Sequence, residues 1–379
     1  MKIIVVCEAV FPENKGGIER WLGRLAQYFA EQGHSVSYFN SAALEVSRNN
    51  VHYRAASQVK WSYLPGGVRS RWQALRFGYQ VYKFVRSEEA DIVYCSSVPI
   101  FSIFGAWLGS SNRAKLFVEW FEVWPLRYWC RYLGVPAGIL GWTIQFLAAQ
   151  LGEFRIVYTN NAKTSLRRLA LISKKNVNLL PGLCPDKPTE PTEIESCEKS
   201  DIYFLGRLVE EKQPHLALDA IQTLVNQGWN GIFWIIGTGP LAASLKIRIE
   251  TQGLSNFVNL VENPSDETVI EIARKCFALL HPSRREGYGL ASVEAAYLGI
   301  PSILINYPEN YSVSLGISPE LVSEPQDIDQ LVRNIYFASS EQRRLREATL
   351  DWALFAQRNL SASKTFRNLG SMMKLNGYN

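Results

Sequence analysis

Short apolar runs rich in β-branched residues alternate with stretches of helical period along most of this chain. In the first half the runs are residues 2–7 (KIIVVC), 34–39 (HSVSYF), 91–95 (DIVYC), 115–119 (KLFVE) and 154–159 (FRIVYT). Between the first two, Ile18, Trp21, Leu22, Leu25, Ala26 and Phe29 recur at the spacing of one helix face, which predicts an amphipathic helix over 17–32. Residues 184–200 (CPDKPTEPTEIESCEKS) break the pattern with three Pro and five acidic residues and read as a linker or surface loop. Alternation then restarts. The pattern predicts strands at 201–205, 232–236, 257–261, 276–281 and 301–305, with helices at 214–227, 241–252, 266–275 and 290–299. The tail 341–379 reads as helical and basic. Strands alternating with helices indicate parallel sheets covered on both faces. The expectation is an α/β chain of two Rossmann-like halves, 1–183 and 200–355, with a last helix over 356–379 packing back on the first. The functional site is expected in the cleft between them.

Composition adds little to this picture, but charge changes it. The 379 residues carry a formal net charge of +5. Residues 1–180 hold 22 Lys and Arg against 11 Asp and Glu, and the remainder holds 18 against 24. A basic half points to an anionic partner surface, or to a solvated face with no partner. The six cysteines include no Cys-x-x-Cys pair and no zinc-like spacing with His, so they read as thiols in a reducing compartment. Residues 2–7 are too short for an export signal, so a cytoplasmic location is expected. No stretch reaches about 18 uncharged apolar residues; the nearest, 132–152, carries Pro136, four Gly and two Gln.

Four segments carry chemistry. His281-Pro-Ser-Arg-Arg-Glu286-Gly287-Tyr288-Gly289-Leu290 leads from a strand through a Gly-rich loop into a helix that bears Glu294. Glycines let backbone N–H groups approach an anion, and the helix N-terminus adds partial positive charge, so the loop reads as a diphosphate cradle. Glu286 and Glu294 are two carboxylates suited to a polyhydroxylated ligand, or else a cap and a solvated helix residue. Gly206-Arg207 closes a strand, and Lys212 precedes a helix opened by Pro214. Ile235-Ile-Gly237-Thr-Gly239 is a strand-to-helix turn, a tight turn or a nucleotide contact. Asn14-Lys15-Gly16-Gly17 opens the first helix.

Together and in this order, these segments resemble GT-B glycosyltransferases of family GT4, over nearly the full length and most specifically from about 201 to 310. The resemblance implies that Glu286 holds sugar hydroxyls and Glu294 the nucleotide ribose. It implies that Arg207 and Lys212 neutralise the diphosphate, with Gly206, Gly237 and residues Gly287, Tyr288, Gly289 and Leu290 around the donor. Gly16 and Gly17 would lie beneath the phosphates and sugar. It further implies transfer of a hexosyl group with retention, a nucleotide-sugar donor, a lipid-linked or polysaccharide acceptor, and no cofactor or divalent metal. The sole Asp-x-Asp, Asp327-Ile-Asp329, lies far from these segments. Two positions depart from the family. Val118-Glu-Trp-Phe121-Glu122-Val-Trp124 carries Phe121 where a His is usual, with Glu122 in the sugar or acceptor region. Leu180-Pro181-Gly182 stands where Pro-Asn-Gly is usual. A nucleotide-sugar epimerase and a non-catalytic GT-B binding subunit are the alternatives; no nucleic-acid reading motif is present.

Two basic or aromatic stretches remain. Residues 69–86 interleave Arg69, Arg71, Arg76, Lys83 and Arg86 with Trp72, Leu75, Tyr79, Tyr82 and Phe84. Residues 120–147 are aromatic-rich. Each reads as an interfacial surface in peripheral contact with anionic membrane, or as helices burying aromatics in the core.

Overall fold

The computed structural model describes residues 1–11, 13, 16–41, 45–57, 59, 70–111, 113–170, 177–186 and 199–374. Asn14, Lys15, Arg69, Cys197 and most of the predicted linker lie outside them. The described chain divides into two compact units. The first runs to Leu183 and takes in the segment from Ala362 onward, and the second is Cys184–Ser361.

In the first unit the strands are β1 (Lys2–Val6), β2 (Ser35–Asn40), β3 (Val46–Arg48), β4 (Val51–Ala55), β5 (Ile92–Ser96), β6 (Lys115–Glu119), β7 (Phe154–Val157) and β8 (Val177–Leu179). They form one sheet in the order β3-β4-β2-β1-β5-β6-β7-β8, parallel except for β3. Ile3–Val6 of the central strand are wholly buried, as an apolar run covered on both faces requires. Its helices are α1 (Gly17–Glu31), α2 (Arg71–Ser87), α3 (Phe101–Ser110), α4 (Leu126–Leu133), α5 (Val135–Ala149) and α6 (Asn160–Ala170). Trp21, Leu22, Leu25, Ala26 and Phe29 of α1 face the core at the predicted spacing, and Ile18 is half-buried.

The second unit holds β9 (Asp201–Leu205), β10 (Phe233–Ile236), β11 (Val258–Val261), β12 (Cys276–His281), β13 (Arg285–Glu286), β14 (Ser302–Ile305), β15 (Glu309–Asn310) and β16 (Val322–Ser323). Six pair in parallel in the order β11-β10-β9-β12-β14-β16, and β13 pairs with β15. Strand order reverses between β9 and β12, so the loops leaving those two strands open on a crevice at the sheet's C-terminal edge. The helices are α7 (Pro214–Asn226), α8 (Ala242–Thr251), α9 (Asp266–Lys275), α10 (Leu290–Tyr297), α11 (Ile328–Ser340) and α12 (Gln342–Asn359). Local chemistry sets their ends. Pro214 sits at the start of α7, and the Ser265 side chain accepts the Thr268 N–H at 3.2 Å to cap α9.

The tail differs from the sequence expectation. The helix α12 runs through residue 356 to Asn359 within the second unit, and the chain breaks at Leu360 and Ser361. A separate helix α13 (Ala362–Met373) then joins the first unit. There Phe366 stacks on Trp21 and Tyr28 at 4.9 and 5.0 Å between centroids. Thr365 Oγ1 both accepts from the Gly182 N–H at 3.1 Å and donates to the Gly182 carbonyl at 2.6 Å.

Candidate active site

Two loops meet at the reversal point of the second sheet. Leaving β9, the chain turns at Gly206, passes the exposed Arg207 and forms a single 3₁₀ turn over Glu210–Lys212. Leaving β12 at His281, it runs through β13 to the N-terminus of α10 at Leu290. The Arg284 N–H donates to the Glu211 carbonyl at 2.8 Å and ties one loop to the other. A third turn, after β10, crosses the first so closely that a Cβ on Gly237 would lie 1.9 Å from the Gly206 carbonyl oxygen. That approach, and not a ligand, is enough to require a glycine at 237.

The tie brings Lys212 to Glu286. Lys212 Nζ donates to Glu286 Oε1, and His281 Nε2 reaches the same oxygen at 2.5 Å. His281 is buried and Glu286 nearly so. Burial alone would raise the Glu286 carboxyl. The charges of Lys212 and His281 and their hydrogen bonds outweigh it and hold the group well below the usual carboxylate range. An ionised carboxylate only accepts, so His281 Nε2 is the donor in this contact. Nδ1 of the same ring is buried without a hydrogen-bond partner.

A further layer fixes the loop. Ser283 Oγ is 3.1 Å from His281 Nε2, and Asn310 Nδ2 donates to the carbonyls of Ser283 and Ile305 at 3.1 and 3.0 Å. Ser312 Oγ donates to Asn310 Oδ1 at 2.5 Å. Gly289 adopts φ +86°, and a Cβ there would sit 2.3 Å from the Ser312 Cβ. Gly287, Tyr288 and Gly289 are buried, and the Tyr288 hydroxyl is 3.5 Å from Cys184 Sγ. Glu294 lies in the second turn of α10 and is exposed.

The sequence reading gave Lys212 and Glu286 to different parts of a ligand. The structure pairs them with each other, and it adds His281, Ser283, Asn310 and Ser312, which that reading missed. The signal for His281 was its place five residues before Glu286, at the end of a wholly buried strand.

Gly16, Gly17 and Glu122 belong to the first unit. Gly16 precedes α1, and its N-cap position makes no side-chain cap. Glu122 Oε2 accepts the Trp124 indole N–H at 3.0 Å. Phe121 is buried with its ring 5.3 Å from that of Tyr158. Beneath it lies a cluster the sequence did not announce. Glu119, the last residue of β6, is fully buried, and its Oε2 accepts from Trp21 Nε1, Tyr94 OH and Tyr158 OH at 3.0, 2.5 and 2.6 Å. Its Oε1 is buried with no hydrogen-bond partner. Burial pushes the carboxyl up to about 7 against the pull of those three hydrogen bonds.

Known proteins share this architecture. Residues 186–350 match the glycosyl transferases group 1 family, and residues 15–182 match glycosyltransferase family 4. The two matches adjoin and between them take in most of both units. The fold is that of the GT-B glycosyltransferases. Among solved structures, the chain superposes on sucrose-phosphate synthase of Thermosynechococcus elongatus with a TM-score of 0.83 at 14% identity, over 99% of this chain and 98% of that one. It superposes on HepE of Anabaena, solved with UDP and glucose, with a TM-score of 0.76 at 13% identity, over 99% of each chain. In sequence it is 27% identical over 162 residues to a 2-deoxystreptamine glucosyltransferase of Streptomyces kanamyceticus, 40% of this chain and 42% of that protein. It spans about half or less of the length of the curated relatives it matches.

Proposed function

We propose that this chain is a retaining, GT4-type glycosyltransferase. It moves a hexosyl group from a nucleotide-diphosphate sugar to a hydroxyl of a lipid-linked or polysaccharide acceptor, in peripheral contact with a membrane. The observation that carries the reading is the Lys212–Glu286–His281 cluster at the strand-reversal point, beside a Gly-rich loop that opens a helix. The complex of HepE with UDP and glucose adds support from the same fold.

Roles follow from the chemistry. Glu286 stays ionised at working pH, so it holds sugar hydroxyls as an acceptor and does not serve as a general acid. Lys212 has three N–H donors, of which Glu286 takes one, so others remain for a phosphate oxygen. Arg207 supplies the second cation, and the 287–290 amides with the α10 N-terminus hold the diphosphate. The acceptor oxygen bonds to the anomeric carbon as the carbon–phosphate-oxygen bond breaks. The electron pair leaves on the diphosphate, which takes the acceptor proton. No metal is called for in this scheme.

The test is incubation with a panel of nucleotide sugars, reading released nucleotide diphosphate. Release from at least one donor, increased by acceptor, is the expected result; release from none would end the reading. The two carboxylates separate by role. Glu294→Ala should weaken nucleotide diphosphate and intact donor alike, by about 1–3 kcal/mol each. Glu286→Gln should leave nucleotide affinity nearly intact while turnover falls strongly, since sugar contacts tighten as charge develops at the anomeric carbon. Calorimetry beside donor kinetics checks both, and equal loss of nucleotide affinity in the two variants would overturn the division.

A further inference from the structure

The helix α5 of the first unit is built inside out, and the end of α3 shares the pattern. In α5 the buried side is made of small or polar residues: Gly138, Gly141, Gln145, Ala148 and Ala149. Glycine is needed there because a Cβ on Gly138 would lie 2.4 Å from the Cys130 Cα, and one on Gly141 2.5 Å from the Trp129 ring. The large apolar side chains stand on the other side. Val135, Ile139, Leu140 and Leu147 are 62, 49, 61 and 48% exposed and share one face at 3.6 residues per turn. The helix carries no charge at all. In α3, Gly105 and Gly109 are buried against α2 while Trp107 and Leu108 are exposed. A water-facing helix has the opposite arrangement.

These helices are neighbours, since α3 packs against both α2 and α5, and α4 packs against α5. Leu75 and Tyr79 of α2 and Tyr132 of α4 extend the exposed apolar surface. Across α2, α3, α4 and α5 the charged residues are Arg71, Arg76, Lys83, Arg86, Arg127 and Arg131, all exposed, with no acidic residue among them. Apolar surface ringed by aromatics and by charge of one sign fits the headgroup–acyl boundary of an anionic bilayer. It fits a second copy of the chain poorly, because a self-facing interface sets the same cations against each other. Among the described residues no helix is long and apolar enough to cross a membrane, and α5, at about 22 Å, is shorter than a hydrocarbon core.

We propose that the α2–α5 face of the first unit lies on an anionic membrane, with the α5 apolar row inserted among the lipids and the six cations against lipid phosphates. This rests on the reading of membrane contact above and moves its centre from the basic stretch 69–86 to the uncharged helix α5.

The test uses the full chain and vesicles of phosphatidylcholine with phosphatidylglycerol, against phosphatidylcholine alone. Binding should favour the anionic vesicles. Raising salt from about 0.05 to about 0.5 M should weaken it without abolishing it, because screening removes the ionic part only. Ile139→Glu with Leu140→Glu should lower partition at least tenfold at both salt levels. Phe355→Glu, an exposed apolar position in the second unit, should leave it unchanged. The thermal transition and nucleotide release from a soluble donor should be preserved in all variants, so loss of vesicle binding is read apart from loss of transferase activity. Unchanged partition of the double variant would overturn the proposal. So would failure to bind anionic vesicles at low salt, or a dimer that the double substitution dissolves in a protein without vesicle affinity.

Discussion

Lys212→Ala should lower the stability of the second unit by about 3 kcal/mol, because it strands a nearly buried carboxylate with one partner instead of two. In the native protein Glu286 sits well below the usual carboxylate range, with Lys212 as the larger of the two charges holding it there. A carboxylate with a depressed pKa contributes stability above its unfolded value, near 4.3, and loses it as pH falls through the folded value. Wild type should therefore lose this contribution progressively from about pH 4.3 down into strong acid. In Lys212→Ala the folded pKa rises, so the contribution is smaller and its loss should be complete at a higher pH. Urea unfolding from neutral to acid pH measures both effects. Adding Glu286→Gln to Lys212→Ala should recover much of the loss, since the stranded carboxylate is then gone. Arg207→Ala is the contrast: the residue is exposed, so turnover should fall at least tenfold with stability nearly unchanged. A cost below about 0.5 kcal/mol for Lys212→Ala would show that the pair does not hold the loop.

The second large effect concerns Glu119. Its folded pKa is up to about 7, above the unfolded value, so the folded state binds the extra proton between the two. Stability from this group is complete below about 4.3 and is lost as pH rises toward 7, a change of about 3 kcal/mol. Glu119→Gln mimics the protonated acid and should lack this dependence. The stability difference between variant and wild type should therefore shift by about 3 kcal/mol in favour of the variant between pH 4.5 and pH 8. Other titrating groups are shared and cancel. A difference that stays constant with pH would mean that Glu119 is ionised throughout.

The strands and helices predicted from 201 to 305 match the observed ones within one or two residues, whereas the short strands β13, β15 and β16 and the helix α11 were not predicted. Local chemistry marks boundaries there: Ser265 caps the start of α9 and Pro214 opens α7. The Gly-rich loop was visible from its place between an apolar strand and a helix. The Lys212–Glu286 pair was not, because it depends on the backbone tie from Arg284 to Glu211, and nothing local encodes a contact across 74 positions. Glu119 was hidden for the opposite reason: a carboxylate ending an apolar strand reads as a solvated edge until Trp21, Tyr94 and Tyr158 converge on it. In α5, uncharged periodicity looked the same whether the large side chains faced in or out. Only the packing of Gly138 and Gly141 against α4 decides the direction.

The chain leaves the first unit at Leu183 and returns to it at Ala362. The half synthesised first is thus the half completed last. While the nascent chain emerges, Trp21 and Tyr28 wait without Phe366, and Gly182 without Thr365, until α13 has cleared the ribosome. The second unit is contiguous and can fold in the interval, whereas residues 1–183 made alone would leave open the apolar groove that α13 fills.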